Sequence, residues 1–445
     1  MRAASPPAAP AELLAQSREL SRELRKRRLR YEKKDQPLHR APIKPDIFFD
    51  HAPCGMYPII ALRTVPCDKY VLGYCGPCSY SARSYPTGLD QQGLYAGLMR
   101  QLEWVLDHFD ELFVTRANGR LDSYHLREAP ERPWYMLQLA GESSFFRDAE
   151  VPPKYRRTIL ERLVAFQEKR GVNLHLMLEC RPEHLLAAHE SGELRELESL
   201  LNALDVVVNV GFECHDDFLR NVVFAKDLSR DVFSQAMAVA QSYRLDPGVF
   251  LFAGATVLTT SEMLEEVERG LGYLQELKLF ANVMAPNLQT YTLPDLLYEA
   301  GRYRLPEPYF LLDLADCLLD FQPRRPRTTT PFNWFLGGLE SDPLPRLNLL
   351  TNPRKFTSNA VAHSIHRCIL ELVRTLDDVR YRREAARLRA EPDYAYYLRD
   401  LARKDTRSWP ERLAEDLEFA QSHLEVYDSQ IQSGLDAVAW ETTLK

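Results

Sequence analysis

The chain has 445 residues, of which 45% are hydrophobic and 27% are charged, the composition of a soluble globular protein of two or three domains. No apolar run approaches the roughly 20 residues of a membrane span, and the N-terminal stretch lacks the apolar core of a secretory signal, so we expect a cytoplasmic protein. The net charge of −7 argues against a large sequence-independent nucleic-acid surface. The eight cysteines are too few and too scattered for a disulfide scaffold.

The N-terminal 54 residues are predicted to be an extension made of a basic helix and a polar linker. Its basic part is RELSRELRKRRLRYEKK, residues 18–34. Such a stretch either has a solvated helix face or provides a contact surface for RNA or an acidic partner, and the solvated face is the simpler interpretation.

From Tyr57 onward, apolar strands alternate with amphipathic helices. The predicted strands are 58–62, 134–140, 173–179, 206–211, 248–253 and 278–285, and the predicted helices between them are 89–109, 155–169, 194–203, 229–243 and 261–277. Six βα repeats without antiparallel hairpins predict a parallel sheet with right-handed crossovers, too small for a closed eightfold barrel. We therefore expect an α/β fold with a partial (β/α)6 TIM-like barrel over residues 55–310 and a helical C-terminal domain over residues 311–445.

Three cysteines, Cys67, Cys75 and Cys78, lie in CDKYVLGYCGPC after the first predicted strand. Three thiolates in a short loop suit a [4Fe–4S] cluster whose fourth iron binds a small molecule, which in radical chemistry is S-adenosylmethionine (SAM). Structural zinc would need a fourth ligand at finger-like spacing, and the next candidates, His108 and His125, are unpaired in the sequence. A redox pair, which would leave Cys67 unused, and simple core cysteines remain further alternatives.

Five segments, taken in order, resemble the radical SAM superfamily, in the branch of the Elongator catalytic subunit and the archaeosine synthase radical SAM subunit. They are LRTVPCDKYVLGYCGPCSYSA (62–82), GESSFFRDAEVPPKYRRTILERL (141–163), LECRPE (178–183), VVVNVGFECHDDFLRN (206–221) and NVMAPNLQTYTLPDLLYEAGRYRLPEPY (282–309). The long spacer between Cys67 and Cys75 is typical of this branch. The chain departs from the family pattern in lacking the Elongator acetyltransferase domain, in an apparent insertion at 112–133, and in Cys180, which replaces a usual threonine.

The resemblance implies an enzyme that reductively cleaves SAM at the cluster and uses the 5′-deoxyadenosyl radical to abstract hydrogen from its substrate. We expect the substrate to be a small polar metabolite of a biosynthetic pathway, with a cleavage, rearrangement or other carbon-centred outcome. An electron donor such as flavodoxin or ferredoxin is implied as a partner. The alternatives are a radical SAM enzyme that modifies tRNA bases and, from another class, a non-catalytic iron–sulfur or zinc-binding interaction protein.

The predicted SAM contacts lie at the carboxyl ends of the strands. Glu142 would accept hydrogen bonds from the ammonium group of SAM beside Gly141, and Arg181 would clamp its carboxylate. The full set is Gly141, Glu142, Glu179, Arg181, Asn209, Glu213, Asn287 and Gln289. Each could instead be a buried structural residue or a turn residue, and no catalytic residue is predicted. His363 and His366, three residues apart, form a weak candidate metal pair.

Overall fold

The computed structural model describes residues 9–35, 45–52, 55–62, 67–78, 91–116, 132–140, 144–286, 288–321, 354–375 and 377–443. Within these residues seven strands form one sheet whose spatial order follows the chain. The strands are β1 (Asp46–Ala52), β2 (Gly55–Ala61), β3 (Trp134–Ala140), β4 (Asn173–Cys180), β5 (Val207–Glu213), β6 (Asp246–Phe252) and β7 (Phe280–Met284).

Strands β2 to β7 are the six parallel strands that the sequence predicts. The mixed α/β architecture and the open partial barrel are therefore confirmed. The edge differs from the prediction, because β1 pairs with β2 as an antiparallel hairpin, with Asp46 opposite Ala61 and Ala52 opposite Gly55. The segment predicted to be a polar linker thus contributes a seventh strand.

The helices are α1 (Pro10–Asp35), α2 (Asp68–Val71), α3 (Gln91–Asp107), α4 (Pro153–Arg170), α5 (Pro182–Glu190), α6 (Glu193–Ala203), α7 (Arg230–Ser242), α8 (Thr260–Glu276), α9 (Leu293–Glu299), α10 (Phe310–Phe321), α11 (Asn359–Thr375), α12 (Asp378–Arg389), α13 (Tyr394–Leu401) and α14 (Trp409–Thr443), with π-helical segments at Asp110–Arg116 and Leu219–Val223. Helices α2 to α8 lie between successive parallel strands, whereas α1 precedes the sheet and the others follow its last strand. Among the described helices none is both long and apolar enough to cross a membrane.

The two faces of the sheet carry different side chains because successive strand residues point to opposite sides. The outer face packs against the helices and forms most of the apolar core. The inner face has a small apolar cluster of Tyr57, Ile59, Met136, Met177 and Val207. Towards the carboxyl ends of the strands this inner face becomes polar, which is where the site described below lies.

The C-terminal helices are fastened to the barrel through the beginning of α8. Thr259 and Glu262 form a capping box there, in which each side chain accepts a hydrogen bond from the other residue's backbone amide. The Glu262 carboxylate also pairs with Arg412 of α14 at 2.6 Å. The Thr260 hydroxyl donates to Asp400 of α13 at 2.8 Å. The helical domain expected after the barrel is therefore tied to one of the barrel's own crossover helices.

Helix α1 confirms the predicted basic helix but not its predicted solvation. Arg25 and Arg27 are buried, at 6% and 9% exposure, whereas Arg22 and Lys26 are exposed. Arg27 pairs with Glu425 of α14 at 2.6 Å. The interpretation of the helix as a solvated basic face is thus wrong for its buried side, because α1 packs between α14 and the rest of the protein.

Candidate functional site

The three sequence-predicted cysteines come together in one loop at the carboxyl end of the first parallel strand. Strand β2 ends at Ala61, Cys67 directly precedes the short helix α2, and Cys75 and Cys78 lie in the turn that follows it. The carboxyl ends of parallel strands are where binding sites form in α/β sheets, since the loops that follow the strands converge there. The position of the loop therefore matches that expected for a cofactor site.

Backbone hydrogen bonds dock this cysteine loop, residues 67–78, on the segment that follows β5. The Cys75 amide donates to Ala225 O at 3.0 Å, and the Gly76 amide donates to Phe224 O at 3.0 Å. A further bond from the Cys78 amide to Cys75 O, at 2.9 Å, closes the turn between these two cysteines. Cys75 itself has a positive φ of 53°, a conformation that non-glycine residues adopt rarely. The loop has a defined shape that neighbouring backbone maintains.

The described residues hold no disulfide: their cysteines, including Cys67, Cys75 and Cys78, are in the thiol form. Among these residues there is also no cluster of three or more His, Cys, Asp or Glu side chains arranged around a single metal ion. A four-iron cluster does not require such an arrangement, because each thiolate binds a different iron. Three cysteine thiolates are the donor type that holds a [4Fe–4S] cluster.

Two buried cations lie beside Cys75. Arg181 is 5% exposed and directs Nη1 to Cys75 Sγ at 3.7 Å, while its Nε pairs with Glu183 at 2.5 Å. Lys226 pairs with Glu213 at 2.6 Å. Burial alone would lower the pKa of both cations, but the nearby Cys75 and acidic side chains raise it above the ordinary value. Positive charge is thus concentrated where thiolate ligands would be.

Polar groups continue from this point across the inner face of the sheet. Gln138 on β3 donates to Glu179 on β4 at 3.1 Å. Burial raises the pKa of Glu179 to about 7, although the bond from Gln138 acts in the opposite direction. Lys226 interacts electrostatically with both Glu179 and Cys75, so one cation is a neighbour of the inner face of the sheet and of the cysteine loop.

Several polar atoms in this interior have no hydrogen-bond partner within the described part of the chain. Asn209, 1% exposed on β5, leaves both of its side-chain polar atoms without one, and Gln138 leaves Oε1 without one. On the neighbouring strand a Cβ at Gly248 would collide with Asn209 Oδ1, so glycine provides the space for that side chain. Buried polar atoms are rarely left unsatisfied unless a ligand or water completes them. These groups fit a polar cofactor or substrate in the barrel.

The other predicted SAM-binding residues fall into two groups. Gly141, Glu142 and Asn287 lie outside the described residues, so their roles stay predictions. Glu179, Asn209 and Glu213 do lie together at the carboxyl ends of β4 and β5, and Arg181 follows β4 directly. Gln289 lies apart from them in the loop after β7, where its carbonyl accepts a hydrogen bond from Thr292.

The sequence did not predict Gln138, Lys226 or Arg25 as site residues. The polar residue Gln138 alternates with apolar residues along β3, and this alternation was the available signal. Arg25 and Lys226 carry no such signal, since each meets the cysteine loop only through the tertiary fold. His363 of the weak histidine pair directs Nδ1 to the Asn359 carbonyl of its own helix at 2.6 Å, as expected of a structural histidine.

Comparison with known proteins supports the resemblance. No protein-family profile matches the chain. An uncharacterized protein of Methanocaldococcus jannaschii is 21% identical over 314 residues, which are 70% of this chain and 77% of that protein. Archaeosine synthase subunit beta of Methanosarcina acetivorans is 23% identical over 206 residues, 46% of this chain and 57% of that subunit.

Among solved structures, the chain matches coproporphyrinogen III oxidase from Escherichia coli, described as a radical SAM enzyme. The match has 14% identity and a TM-score of 0.33, and it covers 59% of this chain and 51% of that one. The sequence similarity to archaeosine synthase subunit beta agrees with the resemblance seen in the sequence segments.

Proposed function

We propose that this chain is a radical SAM enzyme in which Cys67, Cys75 and Cys78 hold a [4Fe–4S] cluster. The observation that carries the proposal is the placement of these cysteines at the carboxyl end of β2, next to the buried cations Arg181 and Lys226. When bound, the cluster and SAM supply a one-electron reduction that releases a 5′-deoxyadenosyl radical able to abstract hydrogen from carbon.

In this proposal the inner face of the sheet binds SAM and the substrate. Asn209 offers a donor and an acceptor that no described residue occupies. Glu179, with a pKa of about 7, either accepts or donates a hydrogen bond near neutral pH, which suits hydroxyl groups such as those of a ribose. Glu142 accepts from the SAM ammonium group at the end of β3, and Arg181 holds the carboxylate. A small apolar cluster lies on the same inner face of the sheet.

The substrate that we propose is a small polar metabolite. The net charge of −7 does not favour a polyanionic partner. In addition, Arg25 and Arg27 of the basic helix contact the protein itself and not solvent. Substrate reactions of the carbon-centred kind require close positioning beside the radical, and buried polar groups on the inner face, such as Asn209, could position a small molecule.

Modification of a tRNA base is the second candidate, and a specific finding favours it. The sequence similarity to archaeosine synthase subunit beta spans 206 residues, and that relative belongs to a tRNA-modification system. A nucleobase extruded from its stack would present polar edges suited to Gln138 and Asn209. The two candidates share the cluster and SAM chemistry and differ only in what enters the barrel.

Anaerobic reconstitution with iron and sulfide tests the cluster. We expect about four irons and four sulfides per chain and a brown chromophore, since three cysteines support one site-differentiated cluster. Cys75→Ala should abolish incorporation, and the matched control Cys317→Ala should not, because Cys317 lies on α10 away from the loop. Release of 5′-deoxyadenosine on addition of SAM and a reductant would support the enzyme assignment. Stoichiometric zinc and no chromophore would contradict it.

A further inference from the structure

Helix α1 lies across the cysteine loop, and Arg25 is its main contact. The Arg25 guanidinium donates to four loop carbonyls: those of Tyr70, Tyr74 at 2.7 Å, Cys75 at 2.9 Å and Cys78 at 3.4 Å. Its guanidinium carbon also lies 4.0 Å from the centre of the Tyr70 ring, in cation–π geometry. The buried Arg25 side chain therefore contacts both the short helix α2 and the turn that contains Cys75.

A second arginine of α1, Arg18, makes a similar contact with the cysteine loop from an earlier position in the same helix. The Arg18 guanidinium carbon lies 3.9 Å from the centre of the Tyr74 ring, and its Nη2 lies 3.5 Å from Leu72 O. Between them is Gly73, whose φ of +84° favours glycine and whose added Cβ would collide with the Arg18 carbonyl oxygen. The backbone of the loop and the backbone of α1 are thus in direct contact, which only a glycine permits.

The helix is itself anchored on its other side. Arg27 pairs with Glu425 at 2.6 Å and with Asp428 at 3.5 Å, both on α14. Arg28 donates to Thr290 O at 3.3 Å, in the loop after β7. Because these anchors lie on the C-terminal helix and at the far edge of the sheet, α1 holds the cysteine loop against parts of the fold that are distant in sequence.

Arg25 is a buried cation without a carboxylate partner among the described residues, since its hydrogen bonds all go to carbonyl oxygens. A buried charge is costly unless an opposite charge compensates it. Thiolates that carry an anionic cluster would provide that compensation.

We propose that Arg25 is a positioning residue for the iron–sulfur site, and that α1 is a structural part of that site. Its donors fix the loop carbonyls so that the three cysteines are held in a ligand-ready arrangement, and its charge stabilises the bound cluster. This inference rests on the proposed function for the identity of the cluster. The positioning of the loop itself is a property of the chain and can be measured without metal.

Hydrogen–deuterium exchange of the metal-free full-length protein tests the positioning. The amides of Tyr74, Cys75, Gly76 and Cys78 report on the loop through the bonds they make. We expect Arg25→Gln to speed their exchange roughly tenfold or more, because a guanidinium that serves several carbonyls is lost. Lys26→Gln is the matched control, since Lys26 is the next residue of the same helix and its side chain is 69% exposed. Unchanged exchange in Arg25→Gln would overturn the proposal.

The same variants, reconstituted, test the effect on the cluster. We expect Arg25→Gln to retain less than half of the wild-type iron after desalting, and its remaining cluster to have a more negative reduction potential, since a nearby positive charge is removed. Arg25→Lys should have a reduction potential close to that of wild type, because lysine keeps the positive charge. It should protect the loop amides from exchange less well than arginine does, because lysine lacks the forked donors. Lys26→Gln should match wild type in both. Equal iron content and potential in Arg25→Gln would also overturn the proposal.

The outcomes separate this inference from the proposed function. If wild type binds no cluster but Arg25→Gln still loosens the loop, the cluster assignment fails and the role of α1 in positioning the loop stands. If wild type binds the cluster and Arg25→Gln behaves as Lys26→Gln does, the cluster assignment stands and the inference fails. Should Arg25→Gln not fold, Arg25→Lys carries the exchange measurement, and protection equal to wild type would contradict the need for a forked donor.

Discussion

Polar groups of the C-terminal helices and buried polar groups of the inner face of the sheet differ in how their hydrogen-bonding capacity is satisfied. In the helices, Arg389 contacts both Asp313 and Asp316 at 2.6 Å, and the Tyr397 hydroxyl donates to Asp313 at 2.6 Å. On the inner face, Asn209 and the Gln138 Oε1 atom have no partner in the described residues. Paired groups stabilise a fold, whereas unpaired buried groups cost stability and are retained where a ligand completes them.

The largest expected effect concerns Glu179, whose pKa burial raises from 4.5 to about 7. A carboxyl group with a raised folded-state pKa contributes stability that is fully present below about pH 4.5 and is lost as the pH rises through about 7. Between pH 5 and pH 8 the metal-free wild type should therefore lose about 3 kcal/mol more stability than Glu179→Gln.

Urea unfolding at several pH values measures this difference. Asp416, whose pKa burial raises to about 6, acts in the same direction in both proteins, so the comparison between wild type and variant isolates Glu179. If the free energy of unfolding changed equally with pH in wild type and Glu179→Gln, burial of the Glu179 carboxylate would not cost the expected stability.

The second effect tests the paired region. Arg389→Met leaves Asp313 without its cation and Asp316 with only the longer contact to Arg382 at 3.9 Å, and we expect a loss of about 2 kcal/mol, moderated by the partial exposure of these groups. Combining it with Asp316→Asn should recover part of the loss, because the like-charge repulsion is removed. Thermal unfolding of both variants checks this, and a neutral Arg389→Met would mean that the ion pairs contribute nothing measurable to stability.

The third effect is on ligand affinity and not on stability. Asn209→Ala removes a side chain that makes no hydrogen bond in the described residues, so the metal-free protein should change little. In the reconstituted protein, SAM affinity should fall roughly tenfold, the value of about one hydrogen bond in an enclosed site. Calorimetric titration measures it. Asn173→Ala is the matched control, because Asn173 lies at the opposite end of β4 and bonds to Arg132 O; equal SAM affinities of the two variants would exclude Asn209 from the SAM site.

Much of the fold could be predicted from local patterns in the sequence. Strand β3 occupies the residues predicted for it, 134–140, because its apolar run is bounded by clear breaks. Strand β1 was missed because DIFFDHA has charged residues and only a short apolar core, and its pairing with β2 supplies what the local pattern lacks. The three cysteines could be proposed as ligands from the sequence because ligand spacing is itself local.

The groups around the cysteines could not be predicted in the same way. Arg25 and Lys226 are remote in sequence from the loop that they contact, and a helical pattern of basic residues does not show which of them meet carbonyl oxygens. The unpartnered state of Asn209 likewise depends on the glycine of an adjacent strand, Gly248. Such properties arise from tertiary packing, so only a structure shows them.

The smallest expected effect decides between a metabolite and tRNA. Among the side chains of α1 that the structure describes, the cations Arg22 and Lys26 are exposed, while Arg25 and Arg27 make contacts within the protein. If the exposed face bound tRNA through two phosphates, changing both exposed residues to Gln would make the plot of log affinity against log salt concentration shallower, with its slope reduced by about two.

Our leading proposal expects the opposite result, with no saturable tRNA binding at physiological salt and unchanged SAM cleavage in the double variant. Filter binding of tRNA at several salt concentrations, with 5′-deoxyadenosine release as the parallel readout, measures both. The double variant is preferable to deletion of the helix, because deletion would also remove Arg25 from the cysteine loop and so confound RNA binding with loss of the cluster. Tight, salt-dependent binding that the double variant weakens would favour the tRNA candidate.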